Sequence, residues 1–219
     1  INSLGFNFGV KSFPLCYFPM DEAHPSTTTD PYSFSKQVME EVGAYFWRRD
    51  GISSVFLRLP WDYELDEAHM PAVRGFQSAQ VYTEILAMPE RQRASVVEGI
   101  IAQFEGLRAR RAFEISGIWP ELRQLPYGRV MFGRSNFWTS IDARDSAQAI
   151  EKGLVAAYEG SHPLYVNDSH NTVGIPTETL VKLFYPEVPL NRPLVGTETL
   201  VSIDGARNPI EQVGRQKDI

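Results

Sequence analysis

The chain has 219 residues, of which 43% are hydrophobic and 12% aromatic, and its 21 basic and 27 acidic residues give a formal net charge of −6. This composition is typical of a folded globular protein, and it argues against a disordered chain and against a nucleic-acid binder. No apolar run is long enough to span a bilayer and no charged-then-apolar signal opens the chain, so we expect no membrane partner. The single cysteine, Cys16, cannot form an internal disulfide, which favours a reducing, cytoplasmic compartment.

The first predicted elements are a loop and a helix. Residues 1–31 are rich in Gly, Pro, Ser and Thr and predict a long structured loop. Asp30 and Pro31 form a helix-start signal, and apolar residues at three- and four-residue spacing predict a helix from about Tyr32 to Arg49. The apolar face of this helix consists of Phe34, Val38, Val42, Tyr45 and Phe46.

The remaining elements alternate between strands and helices. Ser53 to Leu59 is a β-branched and apolar run that predicts a buried parallel strand. The segment from Pro71 to Phe113 predicts one or two helices outside the main sheet, with a break near Met88-Pro89. The segment from Tyr127 to Ser140 predicts neither a helix nor a strand. The later predictions are a helix from Ile141 to Tyr158 opened by Asp142, a strand from Pro163 to Asp168, a helix from Pro176 to Phe184 and a short helix from Asp204 to Ile210. This order predicts an α/β protein with a parallel sheet.

The segment DPYSFSKQVMEE places Tyr32 and Lys36 four residues apart on the predicted helix, and therefore on one face. A lysine ammonium beside a phenol favours the phenolate, which suits a general base in alcohol oxidation and a general acid in carbonyl reduction. The lysine also has donors left for the hydroxyls of a cofactor ribose. Taken alone, the pair is better explained as a solvated lysine beside a half-buried tyrosine, because such pairs occur by chance on many helices.

Further segments give the pair a context. They are LGF after Ser3, PMDEAHP, DPYSFSK, VFLRLP, SIDARDSAQAI, PLYVND and SIDGAR, in this order along the chain. In order and spacing they resemble the extended short-chain dehydrogenase/reductase superfamily, and within it the NAD-dependent epimerase/dehydratase family. The resemblance covers nearly the whole chain.

The resemblance implies an incomplete Rossmann-type doubly wound parallel sheet with a smaller α/β substrate domain. Residues 1–60 would be the C-terminal part of the dinucleotide-binding domain, 61–162 mainly the substrate-binding region, and 163–219 the return strand with C-terminal substrate-domain elements. The implied cofactor is NAD or NADP, and the implied activity is that of an epimerase or oxidoreductase acting on a sugar or sugar nucleotide. The family often pairs through an interface that includes the tyrosine-bearing helix, which implies a homodimer with Tyr45 and Trp47 as surface candidates.

The family's catalytic tyrosine and lysine correspond to Tyr32 and Lys36, which also face the cofactor. Further cofactor contacts are expected after the strand, where many members have an asparagine and this chain does not: Leu59, Pro60 and Trp61. The substrate candidates are Asn2, Ser3, Arg129, Arg134 and Trp138. An arginine there could grip a phosphate or carboxylate, although a surface arginine beside aromatic packing is an equally good interpretation. No metal site is expected, because the histidines lack ligand spacing.

Two parts of the family pattern are missing. The chain has no glycine-rich phosphate loop with its following acidic residue, and the catalytic Ser or Thr would fall immediately before Ile1. Since the chain also begins without Met, we expect a fragment that binds a dinucleotide only weakly on its own. Ile1 and Asn2 stand where 4,6-dehydratases carry an Asp-Glu pair, which counts against dehydration. The alternative is a non-catalytic relative that senses a dinucleotide or binds a protein.

Overall fold

The structure is a computed structural model, and it describes residues 14–63, 79–110 and 119–207. The helices are α1 (Pro31–Asp50), α2 (Gln80–Ala87), α3 (Glu90–Ala109), α4 (Trp119–Gln124), α5 (Gly128–Ser135), α6 (Ala143–Val155), α7 (Thr177–Phe184) and α8 (Asp204–Arg207). The strands are β1 (Ser54–Arg58), β2 (Trp61–Tyr63), β3 (Ser140–Asp142) and β4 (Ser161–Tyr165).

The strands form two parallel pairs. β1 pairs with β4, with Ser54 opposite Ser161, and β2 pairs with β3, with Trp61 opposite Ser140. The side chain of Phe56 lies against Gly43 of α1, whereas Val55 lies against Gly153 of α6. Because successive side chains of a strand point to opposite faces, α1 and α6 cover opposite faces of the β1–β4 pair. The predicted α/β class with parallel strand pairing is therefore confirmed.

The main core lies mostly outside these strands, among α2, α3, α4, α5, α7, the segment before α1 and the loop after α7, and Tyr165 at the end of β4 joins it. Trp138, 1% exposed, packs edge-to-face on Tyr82 and donates its Nε1–H to the Tyr82 hydroxyl at 2.7 Å. A smaller apolar cluster of Leu57, Leu59 and Ile141 joins the strands to α6.

Several predicted boundaries agree with the structure. The helix predicted from Tyr32 to Arg49 is α1, and the strand predicted from Ser53 to Leu59 is β1. The predicted break near Met88-Pro89 separates α2 from α3. Asp142 caps α6 as predicted, since its carboxylate accepts the N–H of Arg144 at 2.8 Å.

Other boundaries were wrong. Ile141 belongs to β3, so the helix predicted from Ile141 to Tyr158 is only Ala143–Val155. The strand predicted from Pro163 to Asp168 is Ser161–Tyr165, because its register follows β1. Helix α5 was not predicted at all. Its Gly128 is a weak helix former, but a Cβ there would lie 1.6 Å from the carbonyl oxygen of Leu122, so packing requires glycine.

The apolar face of α1 is present but points outward. Four of its residues are between 40% and 59% exposed: Phe34, Val38, Val42 and Tyr45. The buried residues of α1 are Ser33 and Gly43. The helix therefore meets the strands through small residues and leaves its apolar side uncovered by the described part of the chain.

Candidate functional site

Helix α1 begins at a well-formed cap. The Asp30 carboxylate, 3% exposed, accepts the N–H of Ser33 at 2.8 Å, and Pro31 occupies the first turn, where its missing N–H costs nothing. The preceding loop is tied to the same turns, because the Gln37 side chain donates to the carbonyl of Ser26 at 2.9 Å. The first two turns of α1 are thus held on both sides.

Tyr32 and Lys36 lie together on these turns. The Lys36 Nζ is 5.2 Å from the centroid of the Tyr32 ring, within the range of a cation–π contact. Tyr32 is 53% exposed and Lys36 is partly exposed, so both functional groups are accessible to a ligand. The predicted proximity of the two side chains is confirmed, while their catalytic role stays a prediction.

An ion pair fastens α1 to the end of β1. Arg58 donates from Nε to Glu40 Oε1 at 2.8 Å and from Nη2 to Glu40 Oε2 at 2.6 Å. Arg58 is 5% exposed and Glu40 14%, so the pair is largely shielded from water. Because Arg58 is the last residue of β1 and Glu40 lies in the middle of α1, the pair places the middle of α1 beside the carboxyl end of the strand.

The neighbouring strand end joins the same cluster. The Arg58 guanidinium lies 5.0 Å from the ring centroid of Tyr165, the last residue of β4. The N–H of Tyr165 donates to Glu22 Oε1 at 2.8 Å, which attaches the loop before α1. Burial raises the pKa of Glu22 above its ordinary value, although the Tyr165 hydrogen bond and Arg58 oppose the shift.

The predicted cofactor contacts that follow β1 lie in this region. Leu59 is 7% exposed and packs in the small cluster with Ile141, and Pro60 is partly buried between β1 and β2. Trp61 begins β2, which pairs with β3. The three residues follow the strand that carries Arg58, as the sequence order requires.

The substrate candidates are not brought to α1 by any contact in the described part of the chain. Trp138 is a core residue, Arg129 is exposed, and the Arg134 guanidinium stacks 4.8 Å from the ring centroid of Tyr185. Tyr185 also donates its hydroxyl to the Arg134 carbonyl at 2.6 Å. Asn2 and Ser3 lie outside the described residues.

A second concave region lies on the face of β1–β4 opposite α1. It is an open groove of about 1870 Å³ whose floor includes Val55, Leu57, Leu164 and Val166, and whose walls come from α6 and α8. None of the predicted site residues whose side chains the structure describes lines it. Residues of its rim, such as Asp142 and Arg144, were not predicted as site residues because their sequence shows only a helix cap.

His24 is a structural residue of the loop before α1. His24 is 2% exposed and accepts the N–H of Cys16 at 2.9 Å, and burial lowers its pKa. Cys16 is exposed. Over residues 14–63, 79–110 and 119–207, no three His, Cys, Asp or Glu side chains come together so as to hold a metal ion. In the same ranges no helix combines the length and apolarity needed to cross a membrane.

Comparisons with known proteins add no relative: no family model, curated protein or solved structure matches this chain.

Proposed function

We propose that this chain carries the proton-transfer helix of an NAD(P)-dependent epimerase or oxidoreductase that acts on a hydroxyl or carbonyl of a sugar or sugar nucleotide. The observation that supports this most directly is the Lys36 ammonium over the exposed Tyr32 ring, 5.2 Å from its centroid. The Glu40–Arg58 ion pair fastens α1 to the carboxyl end of a parallel strand one helical turn after Lys36, which supports a site near that edge. Open α/β sheets bind their ligands at that edge.

In this mechanism Tyr32 takes the proton from a substrate hydroxyl during oxidation and returns it during reduction. Lys36 stabilises the phenolate and donates to ribose hydroxyls. A bound dinucleotide would supply hydride transfer at the same carbon. Tyr32 and Lys36 are accessible and would hold a ribose and its attached ring, and in this proposal the backbone after Leu59 would approach the same ligand. The sequence offers no cradle for the pyrophosphate, so that part of the site would come from outside these residues.

The Rossmann-type fold and its division into domains are part of the same proposal. Helices on opposite faces of a parallel pair support a Rossmann-type doubly wound sheet, divided as residues 1–60, 61–162 and 163–219. We place the protein in the cytoplasm because it has a single cysteine.

A second candidate is a non-catalytic relative with the same fold that senses a dinucleotide or binds a protein. The observation favouring it is the exposed apolar face of α1, formed by Phe34, Val38, Val42 and Tyr45. Large exposed apolar surfaces mark interaction sites. The same face supports a homodimer, which is compatible with either candidate.

Tyr32→Phe tests the mechanism in the full-length product of the gene. We expect turnover of a sugar-nucleotide panel with NAD or NADP to fall by about 10²–10⁴-fold, because the general acid/base is lost, while NADH binding followed by fluorescence is retained. Tyr45→Phe is the matched control, since Tyr45 is an exposed tyrosine on the same helix and should be dispensable. Unchanged turnover in Tyr32→Phe would contradict the mechanism.

Reading the coding sequence upstream of the Ile1 codon separates the two candidates without an assay. A Ser or Thr codon immediately before Ile1 and a glycine-rich loop farther upstream would support the enzyme. Another residue immediately before Ile1 would favour the non-catalytic relative.

A further inference from the structure

Three residues at four-residue intervals share one side of α1: Tyr32, Lys36 and Glu40. A lysine and a glutamate at this spacing are neighbours on a helix surface and normally attract each other. Glu40 therefore competes with the Tyr32 ring for the Lys36 ammonium. An ion pair between Glu40 and Lys36 would draw Lys36 away from Tyr32.

The structure shows a different arrangement. Both carboxylate oxygens of Glu40 receive hydrogen bonds from Arg58, at 2.8 and 2.6 Å, in the bidentate geometry that favours arginine over lysine. Arg58 is held in place because it is 5% exposed and stacks on the Tyr165 ring. Lys36 instead lies over Tyr32, and within the described ranges it has no ion pair of its own.

We infer that Arg58 is a positioning residue: by occupying both oxygens of Glu40, it keeps that carboxylate off Lys36 and leaves the ammonium at Tyr32. Arg58 touches neither member of the pair and acts through Glu40. The catalytic meaning of this arrangement rests on the proposed function, whereas the competition between Arg58 and Lys36 for Glu40 is a property of the folded chain alone.

The test measures how fast Lys36 reacts with acetic anhydride in the full chain, at one pH, by peptide mass spectrometry. The reaction needs a neutral amine, so an ion-paired lysine reacts more slowly. In Arg58→Met, Glu40 loses both hydrogen bonds from Arg58 and its carboxylate can turn towards Lys36, so we expect Lys36 to react about two- to five-fold more slowly, as for a partly exposed ion pair. Lys182, on α7, is the internal reference.

The double variant Glu40→Leu with Arg58→Met distinguishes positioning from simple support of the helix. Because the Glu40 carboxylate is absent, the rate at which Lys36 reacts should return to that of the unmodified chain, although the ion pair that joins α1 to β1 is absent in this variant too. The matched control is Arg144→Met, which removes an arginine from the Asp142 carboxylate elsewhere and should leave Lys36 unchanged.

Arg58→Met removes two hydrogen bonds from a largely shielded carboxylate, so cooperative thermal unfolding is checked first. If that variant does not fold, Arg58→Lys takes its place; it keeps the charge but cannot engage both oxygens, and we expect a smaller decrease in the Lys36 rate. An unchanged Lys36 rate in the folded single variant, or an equal decrease in the double variant, would overturn the inference. Because no cofactor or substrate is present, failure of the proposed function would leave this result intact.

Discussion

At the scale of single residues, Glu22 carries a pH dependence of stability. Burial favours its neutral form in the folded protein and raises its pKa, so the folded state binds a proton more readily than the unfolded state. The free energy of unfolding should then decrease as pH rises from about 4.3, the value for an unfolded glutamate, to the folded value. Each unit of difference between the two values is worth about 1.4 kcal/mol.

Glu22→Gln should remove this decrease, because the amide oxygen still accepts the N–H of Tyr165 and carries no charge. Urea unfolding at several pH values measures the free energy of unfolding of both proteins. The variant should be more stable than the unmodified chain at neutral pH. Glu41→Gln, at an exposed glutamate of α1, is the control and should follow the unmodified chain. An identical pH profile for Glu22→Gln would show that other groups carry the dependence.

At the scale of elements, the contact between α1 and β1 depends on the absence of a side chain at Gly43. A Cβ there would lie 2.4 Å from Cζ of Phe56 and 2.7 Å from Oγ of Ser54. We expect Gly43→Ala to lower the free energy of unfolding by about 1–3 kcal/mol, because overpacking outweighs the gain in helix propensity. Gly99→Ala on α3 is the matched control: its Cβ meets no atom of the described residues within 4 Å, so it should stabilise by up to about 1 kcal/mol. Thermal unfolding of both variants checks the opposite signs.

The same elements show how far the sequence leads. The start of α1 and the cap of α6 are local, because Asp30 and Asp142 bond to backbone N–H groups within three residues, and both were predicted. Strand β2 is only three residues long and depends on pairing with β3, more than 75 positions away along the chain. No local sequence pattern therefore predicts it. The Glu40–Arg58 pair likewise depends on how α1 lies on β1.

The site shows the same limit. The four-residue spacing of Tyr32 and Lys36 predicts their proximity, since a helix alone brings them together. Whether Arg134 or Trp138 meets a substrate depends on packing between distant segments. For Trp138 that packing gives a core position against Tyr82. Periodicity likewise predicts an apolar face on α1 but cannot say whether another element covers it.

At the scale of the whole molecule, that uncovered face is suited to a second copy. Its residues Phe34, Val38, Val42 and Tyr45 are spaced almost symmetrically about position 40. An antiparallel copy of α1 would therefore set Val38 against Val42 and apolar side chains against apolar side chains, as a two-fold interface requires. Antiparallel helix dipoles also favour this arrangement.

We expect the chain to sediment at micromolar concentration as a dimer, with about twice its mass of 24.8 kDa. Val42→Glu should return it to a monomer, because two carboxylates would be buried near the symmetry axis without partners. Leu154→Glu on α6 is the matched control, since Leu154 is 81% exposed and lies away from this face, and its sedimentation should not change. If the dimer persists in Val42→Glu, the interface lies elsewhere on the molecule. If the unmodified chain is a monomer, the apolar face of α1 is left to bind a different protein, as the non-catalytic candidate requires.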